Sequence, residues 1–532
     1  MKTTLNLLST TLLLFFSLTT YAKENRKSDI IIPQPLSVVH QKGEFNLKNS
    51  TVLVPKNSFE AKFLVDELTK LSIPIKTTTK KSKANITLLI DQSIENEEGY
   101  KLTIESTNIE LKASSNKGLF YGAQSIVQLA REATINKTNQ IQNQIIEDQP
   151  RFPWRAFMLD EARFFKGKKE TLRMIDEMVA LKMNVFHWHL TDDAGWRIEI
   201  KKYPLLTEIG SKRKDTQTGG FNSKETLNEP HSGFYTQKEI KEIVAYAKER
   251  HITVVPEIEM PGHASAAIAS YPWLGSSDKK IEVPVFFGKH YAIYNVADER
   301  TVTFLKDVVT EVIELFQTDI IHIGGDEVRF NEWETNKEIC ELKERKNFTS
   351  FMDVQIDFTN MMSRFIAEQG VRMMGWNEIL GENLHASDNI SFDDPSEKVA
   401  SNVIVHFWMG NPEAIVDAVK QGYDVVNSHN IYTYLDYSYE SIPLERSYSF
   451  EPVSPNIPTD LRDKVIGIGC QMWGEWIPKV EQMHRQTFPR LAALAEVAWS
   501  ANERKDYSNF EKRVSIYANR WKANNILFHP IK

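Results

Sequence analysis

From residue 151 onward, short apolar runs alternate with amphipathic stretches of helical length, and the alternation repeats eight times. The runs cover residues 156–159, 185–190, 253–258, 320–323, 372–376, 403–407, 424–428 and 466–472, and helical stretches at 170–182, 238–250, 301–316, 351–369 and 414–421 lie between them. Strands separated by helices pair in parallel, and eight such units predict an α/β fold of the (β/α)8 barrel type. Barrels of this kind carry their chemistry at the C-terminal ends of the strands. Polar groups should therefore collect there.

They do, at nearly every strand. The first strand runs into Asp160 and Arg163, the second into His187, His189, Asp192 and Asp193, and the third into Glu257, Glu259 and His263. The fourth ends in His322-Ile323-Gly324-Gly325-Asp326-Glu327, where two glycines let the backbone turn before two adjacent carboxylates. The fifth strand ends at Trp376 and Glu378, the sixth at His406 and Trp408, the seventh at His429 with Tyr434 and Asp436 following, and the eighth at Trp473 and Glu475. Tyr434 and Asp436, like Trp473 and Glu475, stand two residues apart, so each pair faces one side of an extended chain. Carboxylates interleaved with tryptophans suit a pyranose, whose C–H faces stack on rings while its hydroxyls take charged hydrogen bonds.

The rest of the chain frames this unit. Of 532 residues, 41% are hydrophobic and 25% charged, the composition of a folded chain, and a net charge of −7 offers no basic surface for nucleic acid or an anionic membrane. Residues 1–22 read as a signal peptide: Lys2, an apolar run at 12–18, then Thr20-Tyr21-Ala22, too short for a stable membrane anchor. Export to a periplasm or the outside is the expectation. Residues 29–150 mix strand-like runs at 51–54, 86–90, 100–104 and 109–112 with helix candidates at 59–71 and 117–131, and read as a smaller α+β domain. The polar stretch 136–148 and the following Gln149-Pro150-Arg151-Phe152-Pro153 read as the boundary to a barrel over 151–500. The tail, 501–532, contains a helical segment at 507–521 that reads as packed on the barrel. With only Cys340 and Cys470 there is no disulfide framework, and whether the two pair is open.

The motifs together resemble one family. Leu159-Asp160 with Arg163, His187-Trp188-His189-Leu190-Thr191-Asp192-Asp193, Pro261-Gly262-His263, the 322–327 segment, Gly375-Trp376-Asn377-Glu378, Tyr434-Leu435-Asp436 and Trp473-Gly474-Glu475 resemble, in order, the catalytic barrel of the family 20 glycoside hydrolases, the β-N-acetylhexosaminidases. Pro33-Gln34-Pro35 and Gly118-Leu119-Phe120-Tyr121-Gly122-Ala123-Gln124 resemble the domain that precedes it. Ala156, Phe164 and Ala194 depart from residues common in that family.

The resemblance implies an exo-acting hydrolase that removes terminal β-linked GlcNAc or GalNAc from an oligosaccharide or glycoconjugate, without metal or other cofactor, and leaves open which of the two sugars is preferred. It implies that the substrate's own 2-acetamido oxygen is the nucleophile, consistent with an acid pair too close in sequence to flank the bond from two sides. Glu327 would be the acid and base, Asp326 the partner of the acetamido N–H, and Tyr434 the donor to the acetamido oxygen. His263 with Asp192 or its neighbour Asp193 would orient Glu327. Trp376, Trp408 and Trp473 would wall the pocket, and Arg163, Asp436 and Glu475 would hold the ring hydroxyls. Two other readings compete: a metal-dependent hydrolase, because His187 and His189 share one side of a strand, and a barrel that binds sugar without chemistry. The sequence does not disclose the oligomeric state.

Overall fold

The computed structural model describes residues 30–288, 290–381 and 398–531. The leader segment 1–22 lies outside them. Seven strands form an N-terminal sheet: β1 (Ser37–Asn46), β2 (Thr51–Leu53), β3 (Lys76–Thr78), β4 (Ile86–Ile90), β5 (Tyr100–Ile104), β6 (Ile109–Ala113) and β7 (Gln140–Asp148), in the spatial order β1-β7-β5-β6-β4-β2-β3. Helices α1 (Phe59–Lys70) and α2 (Asn116–Ile135) contact each other, and α2 lies on the sheet.

One sequence expectation is corrected here. The polar stretch 136–148, read as part of the domain boundary, is mostly strand: β7 occupies residues 140–148 and pairs antiparallel with both β1 and β5. Its asparagines and glutamines hide a strand whose Ile141 and Ile146 enter the core and whose central place in the sheet satisfies the backbone on both edges. Asp148, the last residue of β7, is buried as an anchor rather than solvated as a turn residue.

The barrel closes through β8 (Trp154–Asp160), β9 (Val185–His189), β10 (Thr253–Glu257), β11 (Ile320–His322), β12 (Arg372–Trp376), β13 (Ile404–Phe407), β14 (Asp424–Asn427) and β15 (Val465–Met472), with β15 pairing back onto β8. Every neighbouring pair is parallel, as strands joined through helices must be. Outside lie α3 (Lys168–Ala180), α4 (Gln237–Glu249), α5 (Glu299–Phe316), α6 (Phe351–Glu368) and α7 (Glu413–Lys420). Their apolar stripes face the strands: α5 buries Phe304, Leu305, Val308, Val309 and Val312, at the spacing of one helix face. The Thr236 capping box with Glu239 starts α4.

Inside, the barrel is layered. Ala156, Val185, Val255, Met374, Ile404 and Val426, drawn from strands around the ring, form an apolar cluster. One step along the same strands toward their C-terminal ends, His187, Glu257, Trp376 and His406 take over.

Two further helices lock the parts together. All of α8 (Arg490–Trp499) is buried, and α9 (Tyr507–Ala523) covers it through Arg513, which donates two hydrogen bonds of 2.7 and 2.6 Å to Glu496. Between sheet and barrel, Asp148 accepts from Lys182 Nζ at 2.8 Å, Tyr100 Oη at 2.7 Å and Trp499 Nε1 at 2.9 Å. Cys340 and Cys470 are both free thiols. Among the described residues no helix is long and apolar enough to cross a membrane.

Candidate active site

At the C-terminal end of the barrel lies a cavity of about 780 Å³, lined by Arg163, Asp192, His263, Asp326, Glu327, Trp376, Trp408, Tyr434, Asp436, Trp473 and Glu475, the residues to which the family resemblance assigns catalytic or sugar-binding roles; Asp193, the alternative partner of His263, and the other strand-end groups lie outside its lining. Their loops are held by buried anchors. Asp160, ending β8, accepts from the Arg163 backbone at 3.0 Å and from the Gly474 backbone at 2.8 Å, which ties the loop after the first barrel strand to the loop after the last.

The acid pair owes its placement to an unusual turn. Beyond His322 the backbone adopts positive φ at Gly324 (69°), Gly325 (91°) and Glu327 (53°). A side chain at Gly324 would put its Cβ 1.7 Å from Glu259 Oε2, and one at Gly325 would meet Ile379 Cγ2 at 2.5 Å, so only glycine fits either position. For Glu327 the left-handed backbone is a strained choice, of the kind kept where a side chain must be aimed. The Gln355 side chain on α6 clamps the turn by donating to Gly325 O at 2.8 Å.

His263 stands beside both acids, its Nε2 3.6 Å from Glu327 Oε2 and 3.8 Å from Asp326 Oδ2. Its other nitrogen answers the question left open by Asp192-Asp193. The hydrogen bond from Nδ1 goes to Asp193 Oδ2 at 3.1 Å, while Asp192 Oδ1 lies at 3.5 Å. Asp193 is itself held by the backbone and hydroxyl of Ser265. Asp192 Oδ2 instead takes Arg163 Nη1 at 2.8 Å and His189 Nε2 at 3.0 Å. Burial favours the neutral form of His263, but the charge of Asp192 and the hydrogen bond to Asp193 outweigh it and hold the imidazole protonated well above its usual range.

Charge in the cavity is tuned by the same forces. Burial raises Asp326 to about 6, with His263 opposing and the Glu327 charge adding. Burial likewise pushes Asp436 well above the usual carboxylate range, with Glu475 nearby adding to the rise. Asp192 goes the other way, because Arg163 and His263 overcome its desolvation. Asp326 Oδ1 and Asp436 Oδ1 are buried and accept no hydrogen bond from the protein.

The walls are aromatic. The Trp376 ring lies 5.9 Å from that of Trp473, and Tyr434 stacks on Trp408 at 6.0 Å with the ring planes 10° apart. The Trp408 indole N–H donates to Glu378 Oε2 at 2.9 Å, which gives Glu378 a supporting role that motif reading did not assign. Arg163 sits over the Trp473 ring at 5.1 Å and reaches toward Glu475 at 3.6 Å.

The mouth also carries residues that sequence reasoning missed. Phe221, Tyr291 and Trp476 line its rim, with Phe221 61% and Tyr291 52% exposed. Phe221 meets Trp476 edge-on at 5.0 Å, Trp476 meets Phe287 at 5.4 Å, and Phe287 meets the buried Phe164 at 6.1 Å. The available signal in the sequence was a phenylalanine directly after Gly219-Gly220, in a stretch without strand or helix periodicity.

Three clusters, His187/Glu257/His322, His189/Asp192/Glu259 and Asp192/Asp193/His263, bring possible ligand atoms within 4.8 Å of one another. In the second and third of these, His189 and His263 have both ring nitrogens facing carboxylates, as doubly protonated donors do, whereas a metal needs an imidazole lone pair.

Comparison with known proteins reaches the same place from outside. Residues 152–502 match the glycosyl hydrolase family 20 catalytic domain, and residues 29–149 match domain 2 of that family. A beta-hexosaminidase of Porphyromonas gingivalis is 33% identical over 94% of this chain, which spans 64% of that protein's length. A beta-hexosaminidase of Vibrio furnissii is 33% identical over 87% of this chain and 76% of its own. The crystal structure of a GH20 exo beta-N-acetylglucosaminidase from Vibrio harveyi in complex with N-acetylglucosamine superposes with a TM-score of 0.80 at 28% identity, covering 94% of this chain and 78% of the other. With barrel and preceding domain both matched along nearly their whole length, this chain belongs to glycosyl hydrolase family 20.

Proposed function

We propose that this chain is an exo-acting β-N-acetylhexosaminidase that removes a terminal, non-reducing β-linked GlcNAc or GalNAc by a retaining, substrate-assisted mechanism. The observation that carries the reading is the acid pair itself. Asp326 and Glu327 are consecutive residues served by one imidazole, whereas a nucleophile and an acid of the two-carboxylate kind flank the bond about 5–5.5 Å apart.

The geometry suits the following sequence. The acetamido carbonyl oxygen attacks C1 while the Glu327 carboxyl gives its proton to the departing glycosidic oxygen. Asp326, as carboxylate, accepts the acetamido N–H and stabilises the cationic ring that forms, and the Tyr434 hydroxyl donates to the acetamido oxygen. Burial keeps that hydroxyl protonated. Glu327, now a carboxylate, takes a proton from water as the water attacks C1, which reopens the ring with the original configuration. The unpartnered oxygens of Asp326 and Asp436 have donors to gain from an amide and from hydroxyls. Arg163, Asp436 and Glu475 close the pocket around one terminal sugar. The exposed rings of Phe221 and Tyr291, with the half-buried Trp476, suit a sugar on the leaving side.

The N-terminal segment, with Lys2, its apolar run and Thr20-Tyr21-Ala22, supports action outside the cytoplasm. Sequencing the N-terminus of protein recovered from cells tests this, and a mature chain that retains residues 1–22 would refute it.

The decisive assay uses a chromogenic β-N-acetylglucosaminide with EDTA present. Steady turnover is expected, together with inertness toward the matching β-glucoside, which lacks the nucleophile. Cleavage of the β-glucoside at a comparable rate, or loss of activity in EDTA, would overturn the reading.

A further inference from the structure

Just beneath the cavity the barrel interior breaks the usual rule. Layers there are ordinarily filled by branched apolar side chains. Here Asp160, His189, Glu257 and His322 stand in register on β8, β9, β10 and β11, and Glu257 is wholly buried. A carboxylate placed there costs several kcal/mol of desolvation unless its bonds are excellent.

Its bonds are excellent, and they lead upward. Glu257 Oε1 accepts from the Trp376 indole N–H at 2.8 Å, and Oε2 accepts from His189 Nδ1 at 2.6 Å, while His187 Nε2 and His322 Nδ1 each stand 2.9 Å away. The N–H is the only polar handle an indole has, so this bond sets the rotation of the Trp376 plane. His406 backs the same ring, stacked at 4.1 Å with planes 20° apart. His189 continues the line: its Nε2 donates to Asp192 Oδ2 at 3.0 Å, and the same oxygen takes Arg163 Nη1 at 2.8 Å. Neither Glu257 nor His189 lines the cavity.

We propose that Glu257 and His189 are positioning residues of this site: Glu257 orients the Trp376 wall and, through His189 and Asp192, places the Arg163 guanidinium. The inference rests on the reading that the cavity holds a terminal 2-acetamido sugar against Trp376 and Arg163. Two pocket groups that hold different parts of the sugar then share one buried origin, and a misplacement of about 1 Å at such groups is enough to lower turnover markedly.

The test compares wild type, Glu257→Gln, His189→Gln, Arg163→Ala and the pair His189→Gln/Arg163→Ala on a chromogenic β-N-acetylglucosaminide, with kcat and KM separated and thermal midpoints recorded. His189→Gln should lower kcat/KM by roughly 10- to 100-fold, chiefly through KM. In the pair the loss should stay within about threefold of Arg163→Ala alone, since no guanidinium remains to be placed. Trp376→Phe, which keeps a ring but lacks the N–H, should cost activity alone and little more on top of Glu257→Gln. Should Glu257→Gln fail to fold, the pair decides. Multiplying losses in the pair, or a lowered midpoint with kcat and KM unchanged, would make these residues packing elements only and overturn the proposal. A wild type without turnover would instead overturn the function proposed above.

Discussion

In the proposed mechanism Asp326 and Glu327 are neighbours asked for opposite charges at one moment: the first would be ionised to support a cation, the second protonated to release the leaving group. Glu327→Gln should therefore lower kcat on chitobiose by roughly 10²–10⁴-fold, the usual worth of an acid/base group. Turnover within about threefold of wild type, on a scale where tenfold is 1.36 kcal/mol, would remove Glu327 from that role. The pH dependence follows from Asp326. Burial raises its carboxyl to about 6, so the working carboxylate is present above that pH and is lost as pH falls through it. The acid limb of kcat/KM should break near pH 6 and disappear in the residual activity of Asp326→Asn; a limb of unchanged position in that variant would assign it to another group. At this scale the sequence disclosed residue types more readily than partners. Strand-end carboxylates and tryptophans are legible because a barrel's strands all point their C-terminal ends one way. Whether Asp192 or Asp193 meets His263 was not legible, because adjacent side chains diverge and the loop's turn selects between them. Here it gives Asp193 to His263 and Asp192 to Arg163.

Elements differ in how plainly they declare themselves. The barrel strands are apolar runs buried on both faces, and their outer helices repeat at 3.6 residues, so both stand out from the local pattern alone. Strand β7 does not. Its polar residues satisfy a central strand of a sheet whose partners, β1 and β5, lie about 100 and 40 residues away in sequence, and no local pattern carries that pairing. The loops after the strands are less legible still, and the rim rings came from them. Trp476, braced edge-on by Phe221 and Phe287, lines the cavity where the proposed reaction would place the leaving group. Trp476→Ala should lower kcat/KM on chitobiose by roughly 3- to 10-fold, the worth of one ring contact, while a methyl β-N-acetylglucosaminide, having no second ring, changes less than twofold. Equal losses on both substrates would place Trp476 in the support of Glu475 rather than on the leaving side.

At the scale of the whole molecule the N-terminal sheet supplies no residue to the cavity, yet it is not an independent appendage. Asp148, at the end of β7, and Lys182, in the turn after α3, are both fully buried at 2.8 Å, and Trp499 of α8 donates to the same aspartate. Gln34 and Arg513 converge on Glu496 in a second buried junction, which ties the segment before β1 to α9. A pair of buried charges adds little net stability over an apolar pair, but removal of one partner leaves the other stranded. Asp148→Ala should accordingly cost about 3–5 kcal/mol in denaturant unfolding, because an ammonium is left in a dry seam. Replacing Lys182 as well, in Asp148→Ala/Lys182→Met, should recover most of that loss. Activity per folded molecule should hold in both variants, since neither residue touches the cavity. The ionic seam also predicts that sheet and barrel unfold together in wild type, whereas Asp148→Ala should separate the transition into two steps seen by different probes. If the single variant loses less than about 1 kcal/mol, or the double variant falls further rather than recovering, the seam is held by its apolar contacts and the buried pair is incidental to the union of the two parts.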